Sequence, residues 1–369
     1  MLMNRKEIEE NIMKNLATLL LPAVLLAAGC TDKKENKKAS PNTAPQAETT
    51  DTAETKAKEI SDGDMGRSGD ITVNRPNKDI GKEALANGTK FRFIVFSDLH
   101  ANLVPHKDLI REVDDEGNVT TVVKMKGGAA KIATKMKELR ASADHHMTLN
   151  IGDTFHGGVE ALFTAGNAIA PVVNKLGIDV GVPGNWDYAY GPLVTKERYT
   201  GEEPPQVILE AAAQMGFPMP EEVKQAAFPN LAANVTLSMP RFKKGQPFLP
   251  ATMLKQHGDL KVGIIGLSSD MVPNMSERLA MGLDFLQGED NYRELVNKHA
   301  KSLREQGAGV VVVMSELGIQ KDYRLAEVID EGVDYIFSGH THEVSYKPHQ
   351  FSNGTWVMEA GNDGYVGEA

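Results

Sequence analysis

The stretch FRFIVFSDLH at residues 91–100 decides how the rest of the chain is read. Phe93, Ile94, Val95 and Phe96 form an uninterrupted apolar run of the length expected for a buried strand. The run stops at Ser97-Asp98-Leu99-His100, which sets a carboxylate and an imidazole two residues apart. On an extended chain that spacing puts both on one side, where they can grip a single cation. In open α/β sheets, the carboxyl ends of the strands are where ligands sit.

Four later segments repeat the pattern of an apolar run that ends in metal-ligand chemistry. Residues 147–151 stop at Gly152-Asp153-Thr154, and residues 178–182 at Gly184-Asn185-Trp186-Asp187. Residues 309–314 stop at Ser315-Glu316-Leu317-Gly318, and residues 334–337 at Ser338-Gly339-His340-Thr341-His342. Between them, apolar spacing predicts helices over 131–140, over a segment carrying Ala161, Leu162, Ile169, Val172 and Val173, near 206–215, and over 292–306 and 323–330. A further buried strand is expected at 262–267, with edge strands at 355–358 and 364–367. The rest of 202–246 reads as Pro-rich and irregular, apart from an apolar segment at 228–235, and no repeat of fixed period is visible.

At 369 residues the chain has room for two domains, or for one large domain with appendages. The formal net charge of -10 argues against a nucleic-acid surface, which needs clustered Lys and Arg. An anionic substrate would therefore depend on a bound metal for attraction. Cys30 is the single cysteine, which excludes an intramolecular disulfide and a thiolate cluster. It closes the apolar stretch 16–28 in the run Leu26-Ala27-Ala28-Gly29-Cys30, which resembles a bacterial lipoprotein signal with its lipobox. Residues 1–30 are accordingly expected to be a signal peptide with Cys30 lipidated, which would put the protein on the periplasmic or extracellular side of a bacterial envelope, anchored to a membrane. Residues 31–88 are polar and poor in large apolar side chains, the composition of a disordered tether. His145-His146 read as a solvated pair ahead of a strand.

Taken together, the five segments, with Gly127-Gly128-Ala129, residues 229–234 (PNLAAN) and Glu359-Ala360-Gly361, resemble the calcineurin-like metallophosphoesterase superfamily in its 5'-nucleotidase branch. The resemblance implies a single α/β domain over 89–369, a four-layer α-β-β-α sandwich of mixed sheets. It also implies two divalent metals (Mn, Zn, Fe, Mg or Co) and hydrolysis of a nucleotide or other phosphate ester by a metal-bound hydroxide. Carried over by position, Asp98, His100 and His342 would hold one metal, Asn185 and His340 the other, and Asp153 would bridge. Asn185, Trp186 and Asp187 fall in the signature that lies beside the reacting group. The C-terminal domain that clamps the nucleoside in such enzymes is expected to be absent from this sequence, which is then either a fragment or a single-domain enzyme.

Two positions depart from the family pattern. Trp186 stands where the family has a His, and an indole cannot do acid–base work. Glu316 stands where Ser-His would supply a ligand to the second metal, either as a replacement ligand or as a residue outside the ligand set. Trp186-Asp187-Tyr188 and Tyr190-Gly191, with Leu103, Pro105 and His106 after His100, are also similar to the thiosulfohydrolases of sulfur oxidation. That similarity implies a thiosulfonated carrier protein as partner and sulfate as product. His106 and His156 are candidates for the substrate wall. A lipid-anchored binding protein that has lost turnover is the reading from a different class.

Overall fold

Strand β1 (Phe91–Ser97) sorts its side chains by simple alternation. Phe93 and Val95 enter one apolar cluster, Ile94 and Phe96 another on the opposite face. A computed structural model describes residues 90–113, 119–214, 216, 219–238, 244–330, 332–345, 347–362 and 367–368. The expected signal with Cys30, the expected tether, and residues 364–366 of the last expected strand lie outside the described residues. The chain divides into two units, Met1–Asp64 and Met65–Ala369, and every described residue belongs to the second.

After β1 come a hairpin of β2 (His106–Val113) and β3 (Val119–Lys126), helix α1 (Ala129–Ala141), β4 (His145–Ile151), the short helices α2 (Val159–Phe163) and α3 (Ala170–Val173), β5 (Val180–Val182) and a 3-10 turn at Trp186–Tyr188. Helices α4 (Pro192–Thr200) and α5 (Gln206–Gln214) precede β6 (Val235–Leu237), β7 (Thr252–His257), β8 (Leu260–Leu267), α6 (Val272–Met275) and β9 (Leu283–Phe285). The remaining elements are α7 (Glu289–Glu305), β10 (Val310–Ser315), α8 (Ile319–Val328), β11 (Tyr335–Ser338), β12 (His349–Gln350), β13 (Trp356–Glu359) and β14 (Gly367–Glu368). Among the described residues no helix is long and apolar enough to cross a membrane.

Two main sheets form, in the orders β14-β1-β4-β5 and β12-β13-β11-β10-β8-β7. Their inner strands are parallel, and β14, β12 and β7 run antiparallel at edges. Phe93, Val95, Met147, Leu149 and Val180 meet Val262, Ile264, Val312, Met314 and Phe337 in the core between the sheets. The outer face of the first sheet is covered by Ile132, Met136 and Leu139 of α1. The outer face of the second is covered by Tyr292, Val296, Ala300 and Leu303 of α7 and Leu325 of α8. The layers are therefore α-β-β-α, as expected. In β10, Val311, Val312 and Val313 are completely buried, each contributing about 1.5–3 kcal/mol relative to exposure.

Several elements differ from the expectations. The helix expected across 161–173 is split into α2 and α3, because Ala165 and Gly166 take φ of 47° and 79° and turn the chain out of the helix. Strand β13 is not an edge strand; β12 pairs outside it. The β2–β3 hairpin, α4 and β7 gave no clear apolar period. In the hairpin, Leu109, Val123 and Met125 remain exposed, so no core demanded a pattern there.

Candidate metal centre

Parallel strands deliver their carboxyl ends to one edge, and each expected ligand lies just past such an end. Asp98 and His100 follow β1, Asp153 follows β4, Asn185 follows β5, Glu316 follows β10, and His340 and His342 follow β11. The loops are tied by backbone bonds that continue the ladders: the His100 N–H donates to the Asp153 carbonyl (2.8 Å), and the Gly339 N–H to the Ser315 carbonyl (2.9 Å). Across the sheets, the His340 N–H donates to both Asp98 carboxylate oxygens, at 3.2 and 3.0 Å. Asp98, His100, Asp153, His340 and His342 all have positive φ, between 44° and 78°. Such left-handed backbone at non-glycine residues costs on the order of 1–3 kcal/mol each and persists where the surroundings impose it.

The side chains converge in two groups. In one, ligand atoms of Asp98, His100 and His342 lie within 4.8 Å of one another, and in the other those of Asp153, Glu316 and His340 do. The His100 and His342 Nε2 atoms face each other at 3.0 Å, and His342 Nε2 is 3.3 Å from Asp98 Oδ1. Asp153 reaches both ways: its Oδ2 is 3.8 Å from His100 Nε2, while its Oδ1 accepts the Trp186 backbone N–H at 2.7 Å. Gly184 makes room for it, since a Cβ there would stand 2.2 Å from Asp153 Oδ1.

The donor set fits two divalent cations on three observations. Both Glu316 carboxylate oxygens and Asn185 Oδ1 are buried without a hydrogen-bond partner, a costly condition that a cation relieves. The amide nitrogen of Asn185 contacts Met275 Sδ (3.3 Å), which leaves the amide oxygen as its ligand atom. Finally, burial, with Asp187 and Asp98 nearby, pushes the Asp153 carboxyl well above the usual carboxylate range. Burial and then Asp98 and Asp153 do the same to Glu316. Carboxylates crowded in this way ionise readily only beside positive charge.

The remaining candidates fall around this centre. The Asp187 carboxylate is turned away into backbone: it accepts from the Thr154 and Phe155 N–H groups (both 2.9 Å) and from the Gly184 N–H (3.1 Å). It thus ties the Asp153 loop to the Asn185 loop and touches no open groove through these oxygens, unlike the catalytic place expected for it. Trp186 is 37% exposed and stacks on His156, with centroids 4.9 Å apart and planes at 16°; Tyr190 packs on the other partner, 5.2 Å from the His156 ring. Burial, then His100, lowers the His156 pKa to about 4, so its imidazole is neutral at physiological pH. His106 begins β2 opposite Lys126, whose ammonium donates to Asp108 (2.9 Å) and to Asn362 Oδ1 (3.0 Å). Asn362 in turn meets His342 Nδ1 at 3.2 Å.

Two residues to which sequence reasoning gave no role brace the centre. Asp322 of α8 accepts from Ser315 Oγ (2.7 Å) and Ser338 Oγ (2.6 Å), the paired last residues of β10 and β11. Glu359 accepts from Thr341 Oγ1 (2.7 Å) and from the Glu343 N–H (3.1 Å), closing the loop that carries His340 and His342. The sequence signals were the serine at the end of both strands and the quoted stretch Glu359-Ala360-Gly361.

Known proteins share this arrangement of chain. A snake venom 5'-nucleotidase from Gloydius brevicauda is 28% identical over 220 residues, 60% of this chain and 32% of that protein, so the chain spans about a third of that relative. The solved NAD nucleotidase of Haemophilus influenzae superposes with a TM-score of 0.58 at 21% identity, over 76% of this chain and 46% of that one. The sulfate thiohydrolase SoxB of Thermus thermophilus does so with a TM-score of 0.56 at 21% identity, over 75% and 52%. Both are likenesses of fold. The model of the calcineurin-like phosphoesterases matches residues 91–344, from the first residue of β1 to just past His342, and the chain belongs to that family.

Proposed function

We propose that the protein is a hydrolase dependent on two divalent cations that cleaves phosphate esters in the manner of a 5'-nucleotidase. The observation that carries this is the convergence of Asp98, His100 and His342 beside Asp153, Glu316 and His340, with Asp153 facing both groups. When bound, two such cations neutralise charge on the reacting phosphoryl group and activate water for in-line attack. Asn185 Oδ1 adds a neutral oxygen to the set, and the Trp186 backbone N–H fixes which Asp153 oxygen remains for it. Asp187 holds these loops in register through three backbone N–H groups.

Substrate selection follows from what flanks the set. The Trp186 indole has one N–H donor and His156 is neutral, so neither hands a proton to a departing group. This favours substrates whose leaving group is stable as an anion, activated aryl esters and phosphoanhydrides, ahead of a nucleoside monophosphate, whose leaving 5'-alkoxide is strongly basic. The same feature supports a second reading, release of sulfate from a thiosulfonated cysteine of a carrier protein, where the leaving sulfur anion is weakly basic. Lipidation at Cys30, an extracytoplasmic location and manganese as the working ion complete the proposal.

The test is hydrolysis by the full chain in Mn²⁺ of an aryl phosphate, a nucleoside monophosphate and a thiosulfonated peptide. Phosphate release that vanishes in Asp153→Ala supports the first reading. Sulfate release alone replaces it with the second, and no turnover of any substrate contradicts both.

A further inference from the structure

The β2–β3 hairpin sorts its side chains against the usual rule. Leu109, Val123 and Met125 stand in solvent, while Lys126, the last residue of β3, is 7% exposed. A lysine so deep persists only where its ammonium is paired. Its Nζ donates to Asp108 Oδ2 (2.9 Å) and, from far along the chain, to Asn362 Oδ1 (3.0 Å). The amide nitrogen of Asn362 meets His342 Nδ1 at 3.2 Å. His342 Nε2 in turn faces His100 Nε2 at 3.0 Å and Asp98 Oδ1 at 3.3 Å. A line of polar contacts thus runs from the base of the hairpin into the group formed by Asp98, His100 and His342.

The direction of that line follows from which groups can donate. An ammonium only donates, so it fixes the Asn362 oxygen toward Lys126 and the NH2 toward His342. The NH2 only donates as well, so His342 Nδ1 accepts, and in a neutral imidazole the proton is then on Nε2. His100 Nε2 and Asp98 Oδ1 are the acceptors within reach of that proton. A cation held by Asp98, His100 and His342 needs the lone pair of His342 Nε2 instead, with the ring proton on Nδ1. That Nδ1–H would meet the Asn362 NH2. The amide can accept it only by turning over, which sets the NH2 against the Lys126 ammonium.

We infer that Lys126 is a positioning residue that acts through Asn362 to hold His342 in its Nε2–H form, so that cation binding by Asp98, His100 and His342 must break the Lys126–Asn362 bond. The inference rests on the two-cation reading above and adds that this one position is held back from the hairpin side. Only the tautomer of one ring changes: Nε2 gives its proton to water and Nδ1 takes one from water, with no net change of charge.

Two measurements on the full chain test this, and neither needs turnover. The first is nitrogen magnetic resonance of the chelator-treated chain with isotopically labelled histidine, at a pH above histidine titration. The His342 signals, assigned by their loss in His342→Gln, should place the ring proton on Nε2; a proton on Nδ1 overturns the inference. The second is calorimetric titration with Zn²⁺ alone, following the binding step that His342→Gln removes. Lys126→Met should tighten that step about ten- to a hundredfold, since no ammonium is left to oppose the turned amide. A lysine that merely braces the hairpin gives weaker or unchanged binding, and either result overturns the inference. In an Asn362→Leu background the same substitution should change the step by less than about twofold. A full gain there would assign the effect to charge alone and overturn it too. The wild-type spectrum decides even if Lys126→Met does not fold. Failure to hydrolyse any of the esters sinks the proposed function and leaves the tautomer to the spectrum, whereas a proton on Nδ1 sinks this inference and leaves the hydrolase standing.

Discussion

Trp186 joins backbone chemistry to substrate choice. Its N–H orients Asp153, and its half-exposed ring, stacked on a neutral His156, puts no acid beside the candidate ligands. Replacing it with the family residue, Trp186→His, is expected to raise turnover of esters with poor leaving groups by up to about 10²–10⁴ while leaving activated aryl phosphates little changed. Parallel gains for both ester classes in steady-state assays would show that a missing proton donor is not what limits the enzyme. Asp187 gives a different expectation, because Asp187→Ala strands three buried N–H groups. The loss should be about 3 kcal/mol or more, read as a fall in thermal midpoint of roughly 5–10 °C. A midpoint unchanged to within a degree or so would mean that the loops hold without it. Asp98, His100, Asp153, His340 and His342 were legible because each follows an apolar run at ligand spacing. The place of Asp187 was not, since its partners are backbone groups up to 33 residues away and backbone donors leave no mark in a sequence.

The elements β10, β11 and α8 are clamped where Asp322 accepts both terminal serine hydroxyls. Burial raises the Asp322 carboxyl from 3.8 to about 7, against the two serine hydrogen bonds that lower it. An acid whose pKa is higher folded than unfolded binds more protons in the folded state, so its contribution to stability falls as pH rises from about 4 to about 7. Asp322→Asn removes that titration, and chemical denaturation across this window should give a flatter profile than the wild type. A profile with the wild-type slope would assign the pH dependence elsewhere. Strands buried on both faces announce themselves as runs of Val, Ile and Phe, which is why β1, β4, β8, β10 and β11 were readable. The β2–β3 hairpin was not, because its apolar side chains stay in solvent and its sequence carries no obligation to a core. The break between α2 and α3 turns on backbone at Ala165 and Gly166 that apolar spacing does not record.

At the scale of the molecule, two parallel-cored sheets point their carboxyl ends at one crowd of carboxylates. The fold buries Asp153, Glu316 and Glu359 beside other carboxylates, which raises the proton affinity of all three, so bound cations should stabilise the folded chain. Saturating divalent metal at a hundred times its dissociation constant is expected to add about 2.7 kcal/mol per site, and chelator to remove it, in calorimetry. An unchanged midpoint with and without metal would deny the coupling. The layer order was legible from the alternation of strands and helices together with the motif resemblance. The packing of Glu316 against Gly152 and Gly339 was not, because neighbours more than 20 residues away in the chain leave no mark beside it in the sequence. The most direct test of the two-cation centre is anomalous diffraction from crystals of the metal-loaded full chain. Two peaks about 3.5–4 Å apart with the Asp153 carboxylate between them are expected; a single peak, or peaks away from Asp98, Asp153 and Glu316, would contradict the account.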